Sequence, residues 1–140
     1  KKKILCLDCG KRKVGIAISD ENQRISMPMK NMERNNQFNG NILKIIFEYH
    51  AGGIIIGLPI NNNGKLNKMS QFIKDISKNL DFFLKKENFD IPILFWDESF
   101  SSIEAEILTD TFFKNKKSQK KTLDKFAAKV ILEDFINYKH

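Results

Sequence analysis

Four apolar residues, Ile4-Leu5-Cys6-Leu7, run without a break into a carboxylate, Asp8. An apolar run of this length, closed by Gly10, predicts a short buried strand. Asp8 then stands at the tip of that strand, where leaving a carboxylate desolvated and unpaired is costly. It requires a positive partner: an Arg or Lys, a set of N–H donors, or a metal ion. The plainer reading is a turn residue, because Asp bonds readily to turn backbone. The rest of the chain decides between them.

Gly10 is followed by Lys11-Arg12-Lys13, which predicts a basic hairpin turn beside Asp8. These three residues are candidates for charge partners of Asp8 or for contacts to phosphate. Val14, Ile16 and Ile18 then alternate with Gly15, Ala17 and Ser19, a strand with one bulky and one slim face. A third strand is expected over Arg24 to Met32. Pro28 within it cannot donate to a ladder, so it belongs at a sheet edge or a bulge.

The period then changes. Phe38, Ile42, Ile45, Ile46 and Tyr49 mark an amphipathic helix, with Gly52-Gly53 as its expected end. Ile54-Ile55-Ile56 reads as a central strand. A second helix is expected from about Leu66 to Leu84, with Met69, Phe72, Ile73, Ile76, Leu80 and Phe83 on one face. A fifth strand, Ile91 to Trp96, also runs into acids, Asp97-Glu98. Ser101 and Glu104 fit a capping box that opens a helix carrying Ile103, Ile107 and Leu108. The lysine-rich stretch Lys114 to Lys121 reads as a loop, with Lys116, Lys117 and Lys120 as candidate backbone contacts for a nucleic acid. Thr122 is the expected N-cap of the last helix and Asp124 falls in its first turn. The order is βββαβαβαα.

The chain has 140 residues, 41% of them apolar and 12 of them Phe, which suits one domain, 1–140, with a real core. No stretch holds 18 unbroken apolar residues and the N-terminus lacks a signal-peptide pattern, so a cytoplasmic protein without membrane insertion is expected. The formal charge of +7 suggests an anionic partner, nucleic acid ahead of a membrane surface. Its plainer explanation is general solubility. Cys6 and Cys9 are spaced C-x-x-C, yet three residues along a strand point them to opposite faces, and no second pair completes a zinc site. Cys6 reads as core and Cys9 as the first turn residue. Gly57 to Lys65 superficially resembles a phosphate-binding P-loop, but its second Gly comes too late. Leu66 also stands where Ser or Thr is needed.

Two strands far apart in sequence therefore end in acids. In open sheets with helical crossovers, ligands gather at the carboxyl ends of strands. With the first, fourth and fifth strands side by side, Asp8 and Glu98 would share one edge, and Asp124 would complete a cluster. Three uncompensated carboxylates repel one another. A divalent cation resolves that repulsion, and oxygen ligands suit Mg²⁺ or Mn²⁺. Two such ions about 3.5–4 Å apart clamp the attacking and leaving oxygens of a phosphodiester. Asp97 alternates away from Glu98, so one of the two at most is a direct ligand. Taken singly, Asp97 reads as a turn residue and Asp124 as a complement to the helix dipole.

Asp8-Cys9-Gly10-Lys11-Arg12-Lys13-Val14-Gly15-Ile16-Ala17-Ile18-Ser19-Asp20 resembles the opening signature of the YqgF/RuvX family, Holliday-junction-resolvase-like, pre-16S rRNA nucleases of bacteria. Gly57-Leu58-Pro59 with Gly64, the stretch Asp97-Glu98-Ser99-Phe100-Ser101-Ser102, and the helix Leu123-Asp124-Lys125-Phe126-Ala127-Ala128-Lys129-Val130-Ile131-Leu132 are similar to further motifs of that family, in the same order. The resemblance implies a ribonuclease H-like α/β fold, a five-stranded mixed sheet flanked by helices. It implies a metal-dependent nuclease that matures the 5′ end of 16S rRNA, with its acidic positions on Asp8, Glu98 and Asp124. Lys13 and Ser99 depart from the pattern, each standing where the family usually has Arg. Losing a cation at Ser99 is the larger change, and Lys11 or Arg12 is placed to compensate. The alternatives are a resolvase acting on branched DNA, which must work as a dimer, and a non-catalytic nucleic-acid-binding factor. For the nuclease reading, a monomer or weak homodimer is expected.

Overall fold

The computed structural model describes residues 2–59, 68–97 and 116–139, the stretch 116–125 as backbone alone. Strands β1 (Lys3–Cys9), β2 (Lys13–Ser19) and β3 (Ser26–Glu33) form an antiparallel meander. Helix α1 (Phe38–Tyr49) leads into β4 (Ala51–Leu58), and α2 (Lys68–Lys86) into β5 (Ile93–Asp97). Helix α3 (Lys116–Lys139) follows. The strands lie in the order β3-β2-β1-β4-β5, with β1, β4 and β5 parallel. The expected adjacency of the first, fourth and fifth strands is therefore observed.

Side-chain alternation divides the core between the two faces of the sheet. Leu5, Leu7 and Cys9 join Val14, Ile16 and Ile18 against α1 and α2, which contribute Phe38, Ile42, Ile73 and Leu80. Ile4, Cys6, Ala17 and Ile55 face Ala128, Ile131, Leu132 and Ile136 of α3. Ala17 and Ala128 are both fully buried, so the slim face of β2 does admit a close helix. Each fully buried Leu or Ile contributes about 1.5–3 kcal/mol relative to exposure. The two cysteines divide between the faces as alternation requires.

Pro28 is accommodated because β3 is the edge strand. That strand is also bulged. Val14 pairs with Met32 and Ile16 with Met29, which leaves Lys30 and Asn31 together opposite Gly15. Pro28 itself pairs with Ala17 in regular register, so the edge position and not the bulge accommodates it.

Five expectations are corrected. Cys9 is the last residue of β1, paired with Val14 and buried, rather than the first turn residue. The turn begins at Gly10, whose N–H donates to Lys13 O at 2.9 Å, and a Cβ at Gly10 would meet that oxygen at 2.8 Å. Gly52-Gly53 does not end α1. His50 does, in the left-handed conformation with φ 57°, which His tolerates better than most residues. The two glycines lie inside β4, where Gly52 is the extra residue of a register shift and a Cβ would meet Lys2 Cβ at 2.6 Å. Residues 116–121 are helical rather than a loop, because Lys and Gln are good helix formers and the run contains no Gly or Pro. It follows that Thr122 is not an N-cap and that Asp124 lies in the third turn of α3, not the first. The expected helix after Ser101, the start of the second helix at Leu66, and Glu98 lie outside the described residues.

Candidate active site

Asp8 is half-buried and is placed by alternation two residues beyond Cys6, on the sheet face that packs against α3. It pairs with Gly15 on β2. Leu7 pairs with Ile56, and Gly57 with Trp96, so Asp8 lies at the level of Gly57 and Trp96. The carboxyl ends of the three parallel strands thus reach one edge of the sheet together. Asp97, the last residue of β5, is exposed and alternates to the α1/α2 face with Ile93 and Phe95, away from Asp8.

The basic turn stands at the same edge. Lys11, Arg12 and Lys13 are all exposed. Their backbone is held by a residue that sequence reasoning missed, Arg34. The N–H of Arg34 donates to Arg12 O at 2.8 Å, and its Nε donates to Lys11 O at 3.0 Å. The guanidinium also lies over the Phe72 ring, 4.5 Å from its centroid, which joins the turn to α2. The available signal was an Arg at the exit of the strand that flanks β2. A second missed pair is Trp96 and Asp134. The indole Nε1 donates to Asp134 Oδ2 at 2.7 Å, and the ring meets Phe135 and Tyr138 edge to face at 5.3 and 5.2 Å. These interactions fasten α3 to the end of β5. Ser70, in the first turn of α2, donates to the carbonyl of Pro59 and ties that helix to the Gly57-Leu58-Pro59 segment.

Of the three acids, the structure describes the side chain of Asp8, the backbone of Asp124 and nothing of Glu98. Position 124 is one turn ahead of Ala128, which is buried against the face that carries Asp8. Lys116, Lys117 and Lys120 are placed as backbone in the first turns of α3. Among the described residues, no three acidic, His or Cys side chains form a metal-holding group. Among the same residues, no helix is long and apolar enough to cross a membrane.

Comparison with known proteins bears on both fold and chemistry. A family model described as RuvX, Holliday junction resolvase, matches residues 2–138. A Pelagibacter ubique protein named "Putative pre-16S rRNA nuclease" is 33% identical, over 98% of this chain and 91% of its own length. Proteins of the same name from Mycoplasma mobile and Thermoanaerobacter pseudethanolicus are 38% and 35% identical. They cover 95% and 96% of this chain, and 90% and 96% of their own lengths. Among solved structures, Thermus thermophilus RuvC in complex with a Holliday junction gives a TM-score of 0.60 at 8% identity, over 98% of this chain and 95% of that one. A yeast mitochondrial Holliday junction resolvase gives 0.55 at 8% identity, over 99% and 79%. At such identities the likeness establishes the fold, which is the expected ribonuclease H-like one.

Proposed function

Since the chain belongs to the RuvX family, we propose that it is a divalent-metal-dependent nuclease hydrolysing phosphodiester bonds, and that its substrate is the 5′ leader of pre-16S rRNA. The observation that carries this reading is Asp8 at the carboxyl end of β1, level with Trp96 and beside an exposed basic turn. The whole chain, 1–140, acts in this reading as one nuclease domain in the cytoplasm, where rRNA matures.

The donor set fits a hard cation. Asp8, Glu98 and Asp124 supply only carboxylate oxygens, the ligands that Mg²⁺ and Mn²⁺ prefer. Strand spacing puts the backbone at Asp8 roughly 10 Å from that at Trp96, with β4 between them. Asp97, the last residue of β5, alternates to the face opposite Asp8, and Glu98 follows it in sequence. In α3, position 124 falls on the stripe of Ala128, Ile131 and Phe135, at i, i+4, i+7 and i+11. When bound, a divalent ion supplies neutralisation of the scissile phosphate and acidification of water.

The chain's own residues do the rest. The carboxylates of Asp8, Glu98 and Asp124 hold the charge at the sheet edge. Lys11, Arg12 and Lys13 take phosphates that flank the cleaved bond, and Arg34 keeps their turn in one shape. Lys116, Lys117 and Lys120 offer further backbone contacts along the start of α3. Cys6 and Ala17 are buried behind Asp8 on the same face of the sheet.

A second reading, a resolvase of branched DNA, is favoured by the fold it shares with RuvC bound to a junction. A third, a binding factor without catalysis, is favoured by Ser99 in place of Arg. One assay separates them. Purified protein is given a pre-16S leader mimic and a four-way junction, with Mg²⁺, Mn²⁺ or EDTA, as wild type and as Asp8→Asn. Cleavage of the RNA that is lost with EDTA and with Asn supports the proposal. Cleavage of the junction alone supports the second reading, and binding without cleavage the third.

A further inference from the structure

Between the start of α1 and the middle of α2 lies a cleft of about 160 Å³. Phe38 and Ile76, both buried, form its floor. Asn36, Asn39 and Asn79 stand around it, and Arg34 closes the side towards the basic turn. Among the described residues no carboxylate lines it. Arg34 is bonded to the backbone of Lys11 and Arg12, so the cleft adjoins the basic turn directly. It stands at the Asp8 end of the sheet. Glu33, the residue before Arg34, pairs with Lys13, two strands across and two residues along from Asp8. That offset is roughly 12 Å.

The geometry points to a subsite for one unpaired nucleobase of the substrate RNA, a few nucleotides from the scissile bond. This inference rests on the nuclease reading above. Carboxamides both donate and accept hydrogen bonds, which is what the edge of a nucleobase demands. The apolar floor suits the face of a ring, and the positive charge of Arg34 suits the phosphate attached to it. The cleft is too small for a base pair, so only an unstacked, single-stranded nucleotide enters, which is how sequence-selective RNA recognition generally operates. A strand that passes Asp8 and crosses Lys11-Arg12-Lys13 would arrive at this cleft on the α1/α2 side of the sheet. The enzyme would then require an unpaired base at a set distance from the bond it cuts.

Binding tests this without depending on catalysis. A labelled leader mimic is scanned with one abasic nucleotide at a time, and its affinity for the full chain is read by anisotropy in EDTA. Asn36 and Asn79 are both exposed, so Asn36→Ala/Asn79→Ala is expected to keep the wild-type unfolding midpoint. The wild type should lose about tenfold in affinity at one abasic position, as expected for the loss of one or two hydrogen bonds. The double variant should bind the intact leader about tenfold more weakly and show no further loss at that position. A flat scan, or a loss unchanged in the variant, overturns the subsite. Absence of any leader binding overturns the subsite, and absence of cleavage in Mg²⁺ or Mn²⁺ as well overturns the nuclease reading with it. The predicted pattern without cleavage in Mg²⁺ or Mn²⁺ keeps the subsite and removes only the nuclease.

Discussion

The indole of Trp96, the only tryptophan in the chain, donates its Nε1–H to Asp134 Oδ2 at 2.7 Å and so joins the end of β5 to α3. The strand leads into Glu98 and the helix carries Asp124, so this bond lies between the supports of two proposed ligands. Asp134→Ala leaves a partly buried donor without its acceptor, which costs about 1–3 kcal/mol. Trp96→Phe should cost a similar amount, and the two together less than their sum, because they remove one shared bond. Urea unfolding of the four proteins of the cycle measures this. Additive losses would show that the pair is not coupled.

Asp20 holds the β2–β3 turn by accepting the N–H groups of Arg24 and Ile25 at 2.8 and 2.9 Å. The bond from Ile25, then that from Arg24, lowers its pKa below the ordinary 3.8. The sign follows from linkage. A carboxyl whose folded pKa is depressed contributes stability above its unfolded pKa and loses it as pH falls through the folded value. Wild type should therefore lose more stability than Asp20→Asn on going from pH 6 to about pH 3. Urea midpoints at the two pH values check this, and equal losses would contradict it.

The lysines at the start of α3 sit in a helix, so replacing Lys116, Lys117, Lys120 and Lys121 with Ala removes charge without removing a helix former. RNA binding should weaken, and the slope of log affinity against log salt should flatten by about 0.7 for each single-strand phosphate that the variant no longer neutralises. A titration at several salt concentrations decides it. An unchanged slope would make the run a solvated surface.

Much of this fold was legible because burial writes a period into the chain. Period two put Val14, Ile16 and Ile18 on one face of their strand and sent Cys6 and Cys9 to opposite faces of theirs, and Pro28 announced an edge. The ends of elements were harder to read. His50 takes the left-handed position for which a glycine is the better suited residue, while Gly52 lies where β4 passes Lys2 and leaves no room for a Cβ. The lysine run misleads because charge is a poor signal for a loop, whereas helix formation depends on backbone and rotamer cost. At the site, Asp8 and its basic turn could be read from local sequence. Arg34 and Asp134 could not, since each acts on a partner distant in the chain, Lys11 and Arg12 in one case and Trp96 in the other.

The central claim is that Asp8, Glu98 and Asp124 share one divalent ion. Its most direct test is a crystal of the wild-type protein grown with Mn²⁺, with data collected for the anomalous signal of the metal. A peak bonded to carboxylate oxygens of all three residues is the predicted result. Well-ordered carboxyl groups too far apart to bond a common ion, with no peak between them, would contradict it.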